Sequence, residues 1–192
     1  MHLGESFYTE EELKQFGFKY LGKDVKIKRN VGIFFTENVS IGDHVRIDDF
    51  TIIVAGQPGM TIGSYVHIAS HCYLAASHGI VMEDFSGISP GVKIFSGSDD
   101  YSGERLTNPT LPKKYIGGKG GTVLLKRHVI IGAGTTILPG CVLGEGTSVG
   151  AMSLVTKSLD PWGVYFGIPV RRLKDRKKKL LDLEREFLEN MN

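Results

Sequence analysis

Aliphatic residues return at every sixth position over long stretches of this chain, with polar or small residues between them. From Leu125 the ladder runs without interruption through Ile131, Ile137, Leu143 and Val149 to Val155. Traced backwards it continues in threes, as Leu21, Ile27, Ile33; Ile41, Ile47, Ile53; Ile62, Ile68, Leu74; and Met82, Ile88, Ile94. A six-residue period fits neither an amphipathic helix nor an alternating strand, and it is the signature of a solenoid.

Four residues after the first two aliphatics of each trio stand Val25, Val31, Val45, Thr51, Val66, Cys72, Ser86, Val92, Val129, Thr135, Thr147 and Ser153. All are small or β-branched, as an inward position beside a tight turn requires. The spacing within a trio is always six, whereas between trios it is 8, 9, 8, 31 and 6, so every insertion falls at one corner. The pattern predicts an all-β solenoid of about six triangular coils, each with three short strands, stacked about 4.8 Å apart by parallel pairing. No coil can bury its aliphatics alone, so stability comes from stacking.

The flanks break the pattern. The run TEEELKQFGF from Thr9 predicts a short helix, with Thr9 as cap, Glu12 completing a capping box and Gly17 ending it. After Val155, Pro161 and Pro169 argue against a regular strand or helix across residues 158–173. Leu173, Leu180, Leu183, Phe187 and Met191 then recur at helical spacing, so residues 174–191 are expected to be helical, with Arg176 to Lys179 placed unfavourably for the helix dipole. The expected organisation is an N-terminal helical segment (1–20), a β-helix domain (21–160) with an inserted loop (95–124), and a C-terminal extension and helix (161–192).

Composition narrows the function classes. A formal net charge of +2 over 192 residues gives no reason to expect nucleic acid as a partner. Cys72 and Cys141 occupy equivalent small positions several coils apart, which argues against a disulfide and for a reducing compartment. Neither a signal-like start nor an apolar run long enough to span a bilayer is present, so a cytoplasmic protein with no membrane insertion is expected.

The hexads, together with residues 131–157 (IGAGTTILPGCVLGEGTSVGAMSLVTK) and 167–172 (GIPVRR), resemble the hexapeptide-repeat acyltransferases, closest to those acting on sugars. The resemblance covers residues 21 to about 173. It implies a left-handed parallel β-helix, a homotrimer with three active sites between neighbouring solenoids, and acetyl-coenzyme A lying along the C-terminal coils without a metal. On that pattern the backbone near Ala133 and Ala151 meets the pantetheine arm, and Thr156, Lys157 and Arg171 meet the nucleotide phosphates. Cationic side chains at the open end of a nearly neutral solenoid suit a polyanionic co-substrate.

Acyl transfer from a thioester needs a nucleophile relieved of its proton and a donor for the developing oxyanion. Of the six histidines, His2 is expected to be disordered. His44 and His128 fall on turn positions and His67 on an outward strand position, where structural roles suffice. His71, the turn residue before Cys72, and His78, in a corner insertion, are the candidate bases. The insertion 95–124 is too long for a turn, and its Asp99, Asp100, Tyr101 and Arg105 are candidates for binding the acceptor.

Maltose and galactoside acetyltransferases carry a glycine-histidine-proline at the start of the corresponding loop, whereas this chain has Gly97, Ser98, Asp99 and Asp100. An aspartate pair is a poor base but can hold an ammonium group, and a neutral amine needs less activation than a hydroxyl. This favours N-acetylation of an amino sugar. The run SGSDDYSGERLTNP resembles acyltransferases of bacterial surface-polysaccharide or lipopolysaccharide biosynthesis that act on nucleotide-linked amino sugars, and that resemblance implies an acceptor of the 4-amino-4,6-dideoxyhexose type. The alternatives are a sugar O-acetyltransferase, a γ-type carbonic anhydrase and a non-catalytic trimeric scaffold.

Overall fold

The computed structural model describes residues 6–191, so His2 lies outside the described residues. The chain winds into a left-handed parallel β-helix of six full coils and the start of a seventh, its wall formed by three sheets. The first face holds Tyr20–Leu21, Val39–Ile41, Met60–Ile62, Ile80–Met82, Val123–Leu125 and Val142–Leu143. The second runs from Lys26–Ile27 to Ser148–Val149 and adds Gly163–Gly167, with antiparallel Val170–Asp175 at its edge. The third runs from Gly32–Phe34 to Leu154–Val155.

The hexad aliphatics become three columns because their registers match. Ile41, Ile62, Met82, Leu125 and Leu143 pair in succession on the first face. Ile27, Ile47, Ile68, Ile88, Ile131 and Val149 do so on the second, with Tyr165 next in line. The third column runs from Ile33 through Ile53, Leu74, Ile94 and Ile137 to Val155. Of the eighteen, only Leu21 and Ile33, in the first coil, are not fully buried. Each buried aliphatic contributes about 1.5 to 3 kcal/mol. Met82 pairs directly with Leu125, so the long insertion leaves the column unbroken.

Tight corners set the rest of the geometry. Where the first face turns into the second, Asp24, His44, Tyr65, Phe85, His128, Gly146 and Trp162 all have positive φ, one per coil. This left-handed turn stacks their side chains: His44 on Tyr65 and Tyr65 on Phe85 at 4.8 Å, then Phe85 on His128 at 5.4 Å. At the corner between the second and third faces, Phe50, His71, Gly91, Gly134 and Met152 take the same conformation.

Helix α1 (Glu10–Gln15) closes the N-terminal end, with the expected Thr9–Glu12 capping box and Gly17 at φ +68°. Two C-terminal expectations are corrected. Pro169 does not abolish strand structure: it sits in the turn between Gly163–Gly167 and Val170–Asp175, which pair as an antiparallel hairpin. Pairing with that strand claims residues 170–175, so the helix α2 runs only over Leu180–Glu189. Arg176 to Lys179 therefore precede the helix, and its first turn carries Asp182, in keeping with the dipole.

Candidate functional site

The site residues expected from the sequence fall into three places. His71, Ala133 and Ala151 lie at the corner between the second and third faces, on the third, fifth and sixth coils. On the fourth coil the equivalent turn begins at Ser89, whose neighbours Pro90 and Gly91 complete the column. With coils about 4.8 Å apart, His71, Ser89, Ala133 and Ala151 span about 15 Å along the axis. His71 and Ala151 are exposed, and the His71 ring rests beside Phe50 at 5.0 Å. The His71 amide donates to the Asp49 carbonyl at 3.1 Å, whereas its ring nitrogens have no hydrogen-bond partner among the described residues.

The co-substrate candidates gather at the C-terminal end. Thr156 and Lys157 follow the last strand of the third face, and Arg171 lies on the outer strand of the C-terminal hairpin opposite Phe166. All three are exposed, and Lys157 and Arg171 have no ion-pair partner among the described residues. Free cations at the open end of the solenoid match a polyphosphate. Neighbouring Arg172, by contrast, is held by Asp175 at 2.7 Å and by the Tyr165 hydroxyl at 3.3 Å.

The acceptor candidates occupy the insertion at the opposite corner. It leaves the wall as a short antiparallel ladder, Gly97–Asp99 against Gly118–Gly120, and its outer part folds around a Lys113–Tyr115 turn. Ser98, Asp99, Tyr101 and Arg105 line a polar hollow together with Gly118 and Lys119. The two aspartates differ. Asp100 accepts from the Ser102 hydroxyl at 2.6 Å, the Ser102 amide at 2.9 Å and the Arg105 amide at 2.8 Å. These bonds hold its pKa at about 2 and make it the anchor of the loop. The Asp99 carboxylate has no partner among the described residues and is exposed. Tyr101 is 92% exposed, and the Arg105 stem covers Gly117.

His78 lies at the root of this insertion, beside its stem rather than in the hollow. Its Nδ1 is 3.2 Å from the Ser77 hydroxyl. Its amide donates to Ser96 Oγ at 2.8 Å, and its carbonyl accepts from Thr122 Oγ1 at 2.9 Å.

Two polar groups were not singled out from the sequence. Asp48 accepts from Arg46 Nε at 2.7 Å and contacts His67 Nε2 at 2.8 Å on the outer side of the second face. Burial would raise the Asp48 pKa, but the hydrogen bonds from His67 and Arg46 bring it below the ordinary value. Glu184 of α2 meets Arg127 and, at 2.8 Å, His128 Nε2. The available signal was coil length: once a coil is known to take about twenty residues, Asp48 and His67 become neighbours.

Residues 122–157 match the family described as bacterial transferase hexapeptide (six repeats). The chain is 39% identical over 182 residues to a dTDP-4-amino-4,6-dideoxy-D-glucose acyltransferase from Escherichia coli, covering 95% of each. Among solved structures it resembles AntD, an N-acyltransferase from Bacillus cereus, in complex with dTDP and 3-hydroxybutyryl-CoA: TM-score 0.93, 49% identity, 97% of this chain and 98% of that one. A variant of AntD holding dTDP-4-amino-4,6-dideoxyglucose and coenzyme A gives a TM-score of 0.94 at 47% identity over 98% of this chain and 100% of that one.

Proposed function

Because the chain belongs to the hexapeptide-repeat acyltransferases, we propose that it transfers an acetyl group from acetyl-coenzyme A to the amino group of a dTDP-linked 4-amino-4,6-dideoxyhexose. The observation that carries this reading is the end-to-end similarity to AntD, whose structures hold that class of amino sugar and coenzyme A. Such a product suits bacterial surface-polysaccharide synthesis in the cytoplasm, and two buried free thiols fit a reducing compartment.

The neutral amine nitrogen attacks the thioester carbonyl carbon, a C–N bond forms, the C–S bond breaks, and the departing coenzyme A thiolate takes up the proton that the attacking nitrogen sheds, leaving as a thiol. Before attack the amine must lose a proton. The open Asp99 carboxylate attracts the ammonium form, and Tyr101 and Arg105 complete the polar hollow. Asp100 acts by shaping that loop. His71 takes the proton, being exposed and on the same corner as Ala133 and Ala151, where the pantetheine arm runs. Thr156, Lys157 and Arg171 hold the nucleotide end of coenzyme A.

AntD was solved as variants at one serine and one aspartate ten residues apart. In this chain Ser89 and Asp99 form the one serine–aspartate pair, in that order, with the same spacing. Ser89 precedes the strand Lys93–Phe95 and Asp99 follows it, so the third face separates their corners by roughly 20 Å. One chain cannot bring them to a common substrate, but neighbouring chains can. This supports a homotrimer with its sites between subunits. The outer side of the third face supports it too, since Phe34, Ile52 and Tyr73 expose 55%, 39% and 37% of their surface in one chain.

The deciding experiment offers purified protein dTDP-linked 4-amino and 4-hydroxy hexoses side by side and follows thiol release. Acetylation of the amine alone is expected. Equal or faster reaction of the hydroxy sugar would replace this reading with O-acetylation. Lys157→Ala should raise the KM for acetyl-coenzyme A with little change in kcat, and an unchanged KM would remove Lys157 from the site.

A further inference from the structure

The base of the inserted hairpin is a pair of glycines, Gly97 opposite Gly120, and conformation does not explain them. Neither has a positive φ, so L-residues could adopt both backbones. Their surroundings supply the reason. A Cβ on Gly120 would be driven into His78 Cδ2, Nε2 and Cγ. A Cβ on Gly97 would meet Ser77 Oγ at 2.5 Å and His78 Nδ1 at 2.9 Å. The imidazole thus occupies the space that side chains on the hairpin's first rung would need.

The same corner grips both stems of the insertion. Ser96, one residue before the rung, accepts from the His78 amide through Oγ and donates a hydrogen bond from that hydroxyl to the Ala75 carbonyl at 2.9 Å. Thr122, two residues after it, donates to the His78 carbonyl. Between them, the Gly121 amide bonds to the Ser96 carbonyl at 2.9 Å. Asp99 is two residues along the strand from Gly97, so any tilt of the rung is carried to its carboxylate.

We infer that His78 is a positioning residue: its ring, wedged over Gly97 and Gly120, fixes the direction in which the hairpin leaves the solenoid and hence where Asp99 is presented. The inference rests on the acceptor role proposed for this loop, but the wedge can be measured without substrate. The test compares the wild-type chain with His78→Ala, Gly120→Ala, the double variant and His78→Phe. Three quantities are followed: amide hydrogen exchange at residues 97–99 and 118–120, kcat/KM for the amino sugar, and KM for acetyl-coenzyme A.

Gly120→Ala should speed exchange in the ladder and lower acceptor kcat/KM on the order of 100-fold, the loss that a misplacement of about 1 Å can produce. The acetyl-coenzyme A KM should hold. Removing the ring gives the new methyl room, so His78→Ala/Gly120→Ala should regain about tenfold or more over Gly120→Ala, a recovery of about 1.4 kcal/mol, to which the loss in His78→Ala alone adds in the coupling energy. His78→Phe, which fills the space without a titratable proton, should rescue most of what His78→Ala loses. Additive losses in the double variant, or unchanged exchange in Gly120→Ala, would overturn the inference. A His78→Phe enzyme as poor as His78→Ala, with native exchange, would do the same and assign His78 to proton transfer. If the wild-type chain turns over no amino sugar, the proposed reaction fails while the exchange results still decide the wedge.

Discussion

Adjacent aspartates in the insertion have been given opposite tasks by their hydrogen bonds. Asp100 is saturated by Ser102 and Arg105, whereas Asp99, one step nearer the solenoid, keeps its carboxylate open to solvent. Asp99→Asn removes the charge and little volume, so kcat/KM for the amino sugar should fall roughly 10- to 100-fold, the range of one charged hydrogen bond, at constant KM for acetyl-coenzyme A. Steady-state kinetics with each substrate varied in turn checks this. The Asp100 pKa of about 2 lies below that of an unfolded aspartate, so its anchoring is complete above about pH 4 and is lost as pH falls through about 2. Proteolytic sensitivity of the loop should accordingly be flat from pH 5 to 8 in the wild-type chain and raised throughout in Asp100→Ala. The sequence presented the two aspartates as equals. The Asp-x-Ser spacing of an Asx turn at Asp100 was the local sign that could have separated them.

At the scale of elements, α2 acts as a strap across the stacked turns between the first and second faces. Glu184 binds Arg127 and His128, Phe187 meets Tyr65 edge-on at 5.3 Å and Phe85 at 6.3 Å, and Arg176 donates to the His128 and Gly146 carbonyls at 2.7 and 3.1 Å. Burial alone would raise the Glu184 pKa, but the hydrogen bonds from Arg127 and His128 more than reverse this and leave it below the ordinary glutamate value. The stabilisation it gives is present above the unfolded glutamate pKa and fades as pH drops through the lower folded value. Glu184→Gln should lose about 1.5 to 3 kcal/mol at pH 7, lowering Tm by roughly 4 to 10 °C, and the gap to wild type should narrow in melts at progressively acid pH. The apolar stripe revealed that a helix exists but misplaced its start. Residues 170–175 are claimed by pairing with Gly163–Gly167, which is itself seated on Ser148–Val149 of the preceding coil, so the boundary follows from the stacking of coils and not from helix propensity. The docking partners, likewise, sit 56 and 57 residues from Glu184.

For the whole molecule, the hexad columns are both the core and the frame that holds the corner of His71, Ala133 and Ala151 apart from the corner that bears the insertion. Ile131 is fully buried in the middle of the second column, so Ile131→Asp places an unpaired charge among aliphatics and should abolish soluble folded protein; a native circular dichroism melt would refute the column. This architecture was legible because its period is written in every coil, including the insertion-free corners of the C-terminal half. Handedness and subunit number are not, since six-residue spacing says nothing about winding sense or about which outer face another copy covers. The aromatic ladder was also missed, as Tyr65, Phe85 and Trp162 stand at turn positions where glycine, asparagine or aspartate is usual. Its last member gives the protein an optical property. Trp162 is the sole tryptophan, it packs over Gly146 with Lys178 Nζ 5.1 Å from its ring, and its carbonyl accepts from the Arg176 amide just past the C-terminal hairpin. Tryptophan emission, excited beyond the tyrosine absorption band, therefore reads a single place, the seating of the hairpin that bears Arg171, and a titration with coenzyme A should change its colour or yield while the amino sugar leaves it unchanged.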